Sequence, residues 1–100
     1  TAALLCSEAT TVGLYGALRD NGFAVGNDVS VITFRENPQL RFLDPAPACF
    51  RTSLPELGRE MARAVLDLLD PDSPLARHRQ TLWPLEFVTG ASIAPALPAG

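Results

Sequence analysis

The chain has 100 residues, 47% of them hydrophobic, so it is long enough for one small core but short for two independent domains. Its 8 lysines and arginines against 11 aspartates and glutamates give a formal charge of -3, which excludes a basic surface for a nucleic-acid backbone. No apolar run approaches the roughly 18 residues that cross a bilayer, and the first residues lack a secretory signal, so we expect a soluble protein without membrane contact.

The first third of the chain predicts a strand, a helix and a second strand. The run AALLC, residues 2–6, is apolar throughout, which is typical of a parallel strand covered on both faces. Ser7 is suited to cap the following helix, Glu8 adds an acid to its first turn, and Gly22 suits the left-handed position that ends it. The second strand, VSVITF, spans residues 29–34 and completes a β-α-β unit.

A proline-rich segment follows the second strand. Its three prolines exclude a helix within residues 37–47 and indicate a structured loop that leads to a short strand at residues 48–52. Leu40, Phe42 and Leu43 place three large apolar side chains in this loop, and such patches commonly mark association surfaces. The alternative is that Phe42 and Leu43 fold inward and cover the end of the sheet.

The second helix has the clearest local signal in the sequence. Ser53 and Glu56 have the spacing of a capping box, and the amphipathic helix that they open ends before Pro71. After a surface loop, residues 81–88 alternate like a strand and lead into a partly tethered tail. Because doubly wound sheets usually have more strands and helices than this, the chain resembles part of a larger α/β fold.

The sequence offers no pattern for catalysis or metal binding. Cys6 and Cys49 lie in apolar strand-like runs, which predicts two buried free thiols in a reducing compartment rather than a disulfide. His78 stands between two arginines without a second ligand at metal-binding spacing. A glycine-rich phosphate loop and a nucleophile elbow are also missing, so we expect no metal, no cofactor and no enzyme activity.

Polar side chains follow the first two predicted strands. Ser7 and Glu8 come directly after the first, and Arg35 and Glu36 after the second. In open α/β sheets ligands bind at the carboxyl ends of the strands, so these four residues are candidate ligand contacts. The alternatives are that Glu8 only complements the helix dipole and that Arg35 and Glu36 form a solvated charge pair.

Longer stretches of the sequence resemble the C-terminal part of lac and gal repressor family (LacI/GalR) regulators. The similarity runs through TAALLCSEATTVGLYGALRDNGFAVGNDVSVITF, then LPELGREMARAVLDLL, and closes at ASIAP. Several marks of the family are altered. The usual Asn-Asp pair is Ser7-Glu8 here, and the usual Gly-(Phe/Tyr)-Asp-Asp is TFRE, which ends at Glu36. The usual Leu-Thr-Thr after the proline turn is residues 47–49, PAC, and the arginine after the last strand is Thr89. Nearly all 100 residues are covered.

The resemblance implies part of a doubly wound parallel-sheet, periplasmic-binding-protein-like two-lobed sensor. It assigns residues 1–52 to the C-terminal lobe, residues 53–88 to a crossing into the N-terminal lobe and residues 89–100 to a tail. It also adds Thr52 and Leu54 as a polar and an apolar contact to the effector, although Leu54 is equally suited to staple the start of its helix. The same resemblance puts a dimer interface on the loop that carries Leu40, Phe42 and Leu43.

The function implied is the ligand-sensing portion of a cytoplasmic bacterial transcription regulator. A small sugar-like effector would shift the balance between two lobe arrangements of a homodimer, and DNA would be bound only through an N-terminal helix-turn-helix absent from this chain. The alternative is a periplasmic sugar-binding protein of a transporter, which shares the fold. Arg35 stands where the family has an acid, which favours an anionic sugar or sugar phosphate.

Overall fold

The computed structural model describes residues 1–72 and 80–96 and shows, within them, one mainly parallel sheet with two α-helices. The strands stand in the order β1-β2-β3-β4, with β1, β2 and β3 parallel and β4 antiparallel to β3. This confirms the predicted α/β class, while His78 lies outside the described residues. The elements are β1 (Ala2–Leu5), α1 (Glu8–Asp20), β2 (Ser30–Thr33), a 3₁₀ helix (Pro38–Phe42), β3 (Ala48–Arg51), α2 (Leu54–Leu69) and β4 (Glu86–Val88).

The contacts divide the chain into two compact units. The sheet unit comprises Thr1–Arg51 and the described residues from Glu86 onward, and the helical unit is Thr52–Leu85. Because β4 is hydrogen-bonded to β3, residues 86–88 belong to the sheet unit, whereas the family resemblance implied that they lie in the crossing segment. The assignment of the units to particular lobes stays a prediction.

Helix α1 begins and ends where its sequence predicts. The Ser7 hydroxyl accepts the backbone N–H of Thr10 at 3.2 Å, so it satisfies one of the unpaired donors at the helix start. At the other end Gly22 has a φ of +79°, and the Phe23 N–H donates to the Leu18 carbonyl at 2.8 Å. This left-handed glycine closes the helix as predicted.

The first strand is less covered than its apolar sequence predicts. Leu4 is 60% exposed, and exposed residues alternate with half-buried ones along β1, so the face of the sheet that carries Leu4 is little covered there by the described residues. Cys6 follows the end of that strand and is exposed, so the prediction that it is buried is wrong. Cys49, in β3, is buried as predicted, and both cysteines are free.

The two thiols are expected to differ in reactivity. Burial and the neighbouring Glu36 carboxylate raise the pKa of Cys49, and only the thiolate is nucleophilic, so Cys49 should react about tenfold or more slowly than Cys6. Titration of the native protein with a disulfide reagent measures the two rates, and Cys6→Ser should remove the fast phase alone. Equal rates would mean that β3 opens readily to solvent.

The proline segment contains a short helix that the sequence analysis excluded. Residues Pro38–Phe42 form a 3₁₀ helix, and the Asn37 side chain caps it by accepting the Gln39 N–H at 2.9 Å. Pro38 is tolerated because the first residue of a helix needs no N–H donor. Leu40 is only 5% exposed and belongs to the core, so its prediction as a surface contact is wrong, whereas Phe42 is 78% exposed.

The residues after β4 fasten the sheet unit. The fully buried Ser92 hydroxyl donates to the Val31 carbonyl at 2.6 Å and accepts the Ala48 N–H at 2.8 Å. The Val31 N–H also donates to the Ser92 carbonyl at 2.9 Å. Nearby, Gly26 has a φ of +93°, and a Cβ built on it would lie 2.5 Å from the Ala91 carbonyl oxygen. The described part of the predicted tail, up to residue 96, therefore forms a tight seam against β2 and β3.

The helical unit carries α2 with its apolar stripe uncovered. The Ser53 hydroxyl accepts the Glu56 N–H at 3.4 Å, which confirms the predicted cap. No residue of α2 is buried, and Met61, Val65 and Leu68 are between 55% and 62% exposed. The stripe is the amphipathic face that the sequence predicts, and nothing in the described residues of this unit buries it.

Candidate functional site

The beginning of α1 and the loop after β2 meet at one hydrogen bond. The half-buried Glu8 accepts through Oε2 from Nδ2 of Asn37, at 2.6 Å. Glu8 follows β1 and Asn37 follows β2, so the contact lies at the carboxyl ends of two adjacent parallel strands. This is the edge of an open α/β sheet at which ligands bind.

Ser7 is occupied by the helix that it starts. Its Oγ lies 2.8 Å from the Thr10 hydroxyl and also accepts the Thr10 N–H. Its carbonyl accepts from the hydroxyl of the fully buried Thr11 at 2.8 Å. Ser7 therefore has a clear structural task, and its part in ligand binding stays a prediction.

Glu36 forms an ion pair with a residue that the sequence analysis did not select. The Glu36 carboxylate oxygen Oε2 accepts from Nε of Arg51 at 2.7 Å and lies 2.6 Å from its Nη2. This pair raises the pKa of Arg51, through the hydrogen bond first and the charge second. Arg35 is exposed and has no ion pair among the described residues, so Glu36 is paired across the strands instead of with its neighbour.

A concavity of about 350 Å³ lies beside this ion pair in the sheet unit. Glu36 and Leu40 contribute to its wall, whereas Ser7, Glu8 and Arg35 do not. Its other polar lining residues are Thr33, Asn37, Arg41, Cys49, Arg51 and Thr89. Asn37 thus touches both the Glu8 carboxylate and this concavity.

A second hollow, of about 670 Å³, lies between α1 and the proline segment. Tyr15 lines it and donates through its hydroxyl to the Pro45 carbonyl at 2.8 Å, and its burial raises its pKa to about 12. Phe42 and the half-buried Leu43 line the same hollow, with the Arg41 guanidinium 5.2 Å from the centre of the Phe42 ring. Two of the three predicted interface residues therefore share one surface.

The remaining two predicted contacts belong to the helical unit. Thr52 accepts from the Trp83 indole N–H at 2.5 Å, which ties the start of this unit to its end. Leu54 is the first residue of α2 and is 51% exposed. Trp83 is half-buried, and its hydrogen bond to Thr52 gives its polar atom the partner that a half-buried indole requires.

The described residues contain no group of three or more histidine, cysteine and acidic side chains that could hold a metal ion. Likewise, none of the helices in the described part of the chain is long and apolar enough to cross a membrane. The charged groups that follow β1 and β2 are the Glu8 carboxylate fixed by an amide, the Glu36 carboxylate paired with Arg51, and the exposed guanidinium of Arg35. Such groups bind hydroxyls and anions.

A mainly parallel sheet with polar side chains at its strand ends is typical of open α/β folds, in which ligands bind at that edge of the sheet. The sequence model of the periplasmic binding protein-like domain matches residues 1–93. The chain belongs to this family.

Curated relatives and solved structures agree with that assignment. The chain is 31% identical over 96 residues to the HTH-type transcriptional regulator MalR of Streptomyces coelicolor and to the HTH-type transcriptional regulator reg1 of Streptomyces lividans. In each case 96% of this chain and 27% of the relative are covered, so the chain spans about a quarter of the relatives' length.

The fold is that of two solved regulators. Transcription regulator CcpA of Lactococcus lactis superposes with a TM-score of 0.76 at 22% identity, over 94% of this chain and 34% of that chain. The lac repressor dimer bound to operator and anti-inducer gives 0.76 at 22% identity, over 93% of this chain and 32% of that chain. The resemblance to lac and gal repressor family regulators is thereby confirmed, and so is the periplasmic-binding-protein-like fold class.

Proposed function

We propose that the chain is the ligand-sensing part of a cytoplasmic transcription regulator that binds a small sugar-like effector. The observation that carries the proposal is the match of 96 of its residues to two HTH-type regulators, in a chain whose own strand ends present a fixed carboxylate. DNA binding belongs to an N-terminal helix-turn-helix outside this chain, and the chain itself is not an enzyme. Neither curated relative favours the alternative of a transporter's binding protein.

The side chains at the strand ends suit a polyol with a negative charge. The Glu8 carboxylate is an acceptor for sugar hydroxyls, because hydrogen bonds to a charged oxygen are short and strong. Arg35, exposed after β2, supplies a guanidinium for a carboxylate or phosphate group. Ser7 and Glu36 add polar contacts at the same sheet edge, while Thr52 and Leu54 stay predicted effector contacts that rest on the family resemblance alone. Hexose phosphates and uronates are therefore the first effectors to test.

We expect Glu8→Gln to weaken effector binding by about 1 to 3 kcal/mol, the usual range for hydrogen bonds to a charged group. A thermal-shift screen of the complete gene product against glucose, glucose 6-phosphate and glucuronate selects the ligand, and calorimetry measures its affinity. The control is Glu56→Gln, which makes the same change in the first turn of α2. Equal affinity of Glu8→Gln and wild type would return Glu8 to the role of a helix-terminal acid.

We further propose that the regulator is a homodimer with Phe42 and Leu43 in its interface. Phe42 exposes 78% of its surface beside the 670 Å³ hollow, and a large exposed aromatic next to a concavity is typical of interface anchors. Leu40 is left out because its side chain is in the core.

The interface is tested by sedimentation of the complete gene product. Phe42→Asp is expected to shift the protein to monomers, because an unpaired charge would be buried at the centre of the contact. Phe42→Leu keeps an apolar side chain there and should stay dimeric. A Phe42→Asp protein that sediments as wild type would place the interface elsewhere.

A further inference from the structure

The side-chain amide of Asn37 is used at both ends. Its Nδ2 donates to Oε2 of Glu8 at 2.6 Å, and its Oδ1 accepts the Gln39 N–H at 2.9 Å. An amide rotated by half a turn would bring its oxygen to the carboxylate and its NH₂ to an N–H, so the two contacts together specify one orientation. One residue therefore caps the 3₁₀ helix and holds the start of α1.

The contact with Asn37 uses only one of the two carboxylate oxygens of Glu8. Oε2 is engaged by Asn37, while Oε1 has no hydrogen-bond partner among the residues that the structure describes. A half-buried carboxylate fastened through one oxygen loses little further side-chain entropy when a ligand binds the other. Asn37 thus prepares Oε1 to accept from a ligand.

The same loop is attached to α1 a second time. The Tyr15 hydroxyl donates to the Pro45 carbonyl at 2.8 Å. Tyr15 follows Glu8 by seven residues, so the two attachments are about two helical turns apart along α1. Residues 37–45 are therefore fastened to α1 at both of their ends, and the exposed Phe42 lies between the two attachments.

We propose that Asn37 is the positioning residue of the ligand site and that its bond to Glu8 couples ligand binding to the loop of residues 37–45. The part that concerns the ligand rests on the proposed function, whereas the hydrogen bond itself does not. A ligand that donates a hydrogen bond to Oε1 binds the same carboxylate whose Oε2 accepts from Asn37. Any shift of Glu8 is passed to the 3₁₀ helix, because the cap and the Glu8 contact are made by one rigid amide.

The test reverses the polarity of the bond. Asn37→Asp keeps an oxygen for the Gln39 N–H but replaces the donor with a second carboxylate beside Glu8. We expect hydrogen exchange of residues 37–45 in the complete gene product to become about tenfold faster, the range for losing one charge-assisted hydrogen bond. Adding Glu8→Gln to this variant lets the new amide at position 8 donate to the new carboxylate at position 37, and protection should return.

Ligand affinity is measured on wild type, Asn37→Asp and the double variant, with glucose, glucose 6-phosphate and glucuronate as probes. Asn37→Asp should weaken the probe that wild type binds by about tenfold. The double variant should regain loop protection without regaining affinity, because position 8 no longer carries a carboxylate. Unchanged affinity in Asn37→Asp, with faster exchange of the loop, would instead mean that Asn37 holds the loop but does not position the ligand site.

Two results would overturn the proposal: unchanged loop exchange in Asn37→Asp, or a double variant as poorly protected as Asn37→Asp. If Asn37→Asp does not fold by circular dichroism, Asn37→Ser replaces it, since a serine hydroxyl can still cap the 3₁₀ helix but is too short to reach Glu8. Failure of every probe to bind wild type would count against the proposed function, and the exchange comparison would still decide on the hydrogen bond.

Discussion

Gly26→Ala is expected to lower the free energy of unfolding of the sheet unit by about 3 kcal/mol or more. Gly26 has a φ of +93°, a conformation that side chains other than glycine rarely adopt. The added Cβ would also lie 2.5 Å from the Ala91 carbonyl oxygen, and backbone atoms cannot swing away as the end of a flexible side chain can. Conformational strain and the clash therefore add to one another.

Gly22→Ala is the matched control for this prediction. Gly22 also has a positive φ, of +79°, but a Cβ built there meets nothing within 4 Å. Only the conformational term remains, so we expect a loss of about 1 kcal/mol. Urea denaturation of both variants of the complete gene product, with hydrogen exchange of β2, measures the difference. Similar losses for the two would show that the residues around Ala91 move aside at little cost.

Ser92→Ala is the second substitution for which we expect a large effect, a loss of about 2 to 3 kcal/mol. The missing hydroxyl leaves the Ala48 N–H without the acceptor that it has at 2.8 Å and removes the donor to the Val31 carbonyl at 2.6 Å. Ser92 is fully buried, so water does not readily replace these partners, and an unpaired buried polar group is destabilising.

Ser30→Ala is the comparison for Ser92. The Ser30 hydroxyl also connects β2 to the residues after β4, accepting the Ala94 N–H at 3.1 Å, but Ser30 is half-buried. Water can reach the freed groups there, so we expect a loss of about 1 kcal/mol or less. Urea denaturation measures the free energy of unfolding of the two variants. If Ser30→Ala proved less stable than Ser92→Ala, Ser92 would not be the residue that mainly stabilises the seam.

The local features of the fold could be predicted from the sequence. Caps, glycine ends and proline positions act over a few residues, so Ser7, Gly22 and Ser53 locate both α-helices correctly. Exposure could not be predicted in the same way. An apolar run such as residues 2–6 has the same pattern in a covered and in an uncovered strand, and only the packing of the folded chain shows that Leu4 and Cys6 are open to solvent.

The candidate site was predictable only in part for the same reason. The strand-end rule selected Glu8 and Glu36, but their partners depend on which strands are neighbours. Arg51 lies 15 residues from Glu36 and Asn37 lies 29 residues from Glu8 along the chain. The sequence did contain a signal for Asn37, because an asparagine followed by a proline is a common helix start. It was overlooked because the three prolines of this segment predict a loop without a helix.

The Ser92 seam has a consequence for synthesis of the protein on the ribosome. Val31 and Ala48 emerge from the exit tunnel long before Ser92, from which they are separated by 61 and 44 residues. Until translation passes that serine, a buried carbonyl and a buried amide of the nascent sheet have no side-chain partner and stay hydrated. Completion of the sheet unit therefore waits until Ser92 has been made, whereas a β-α-β unit with only local contacts can close as soon as its second strand has emerged.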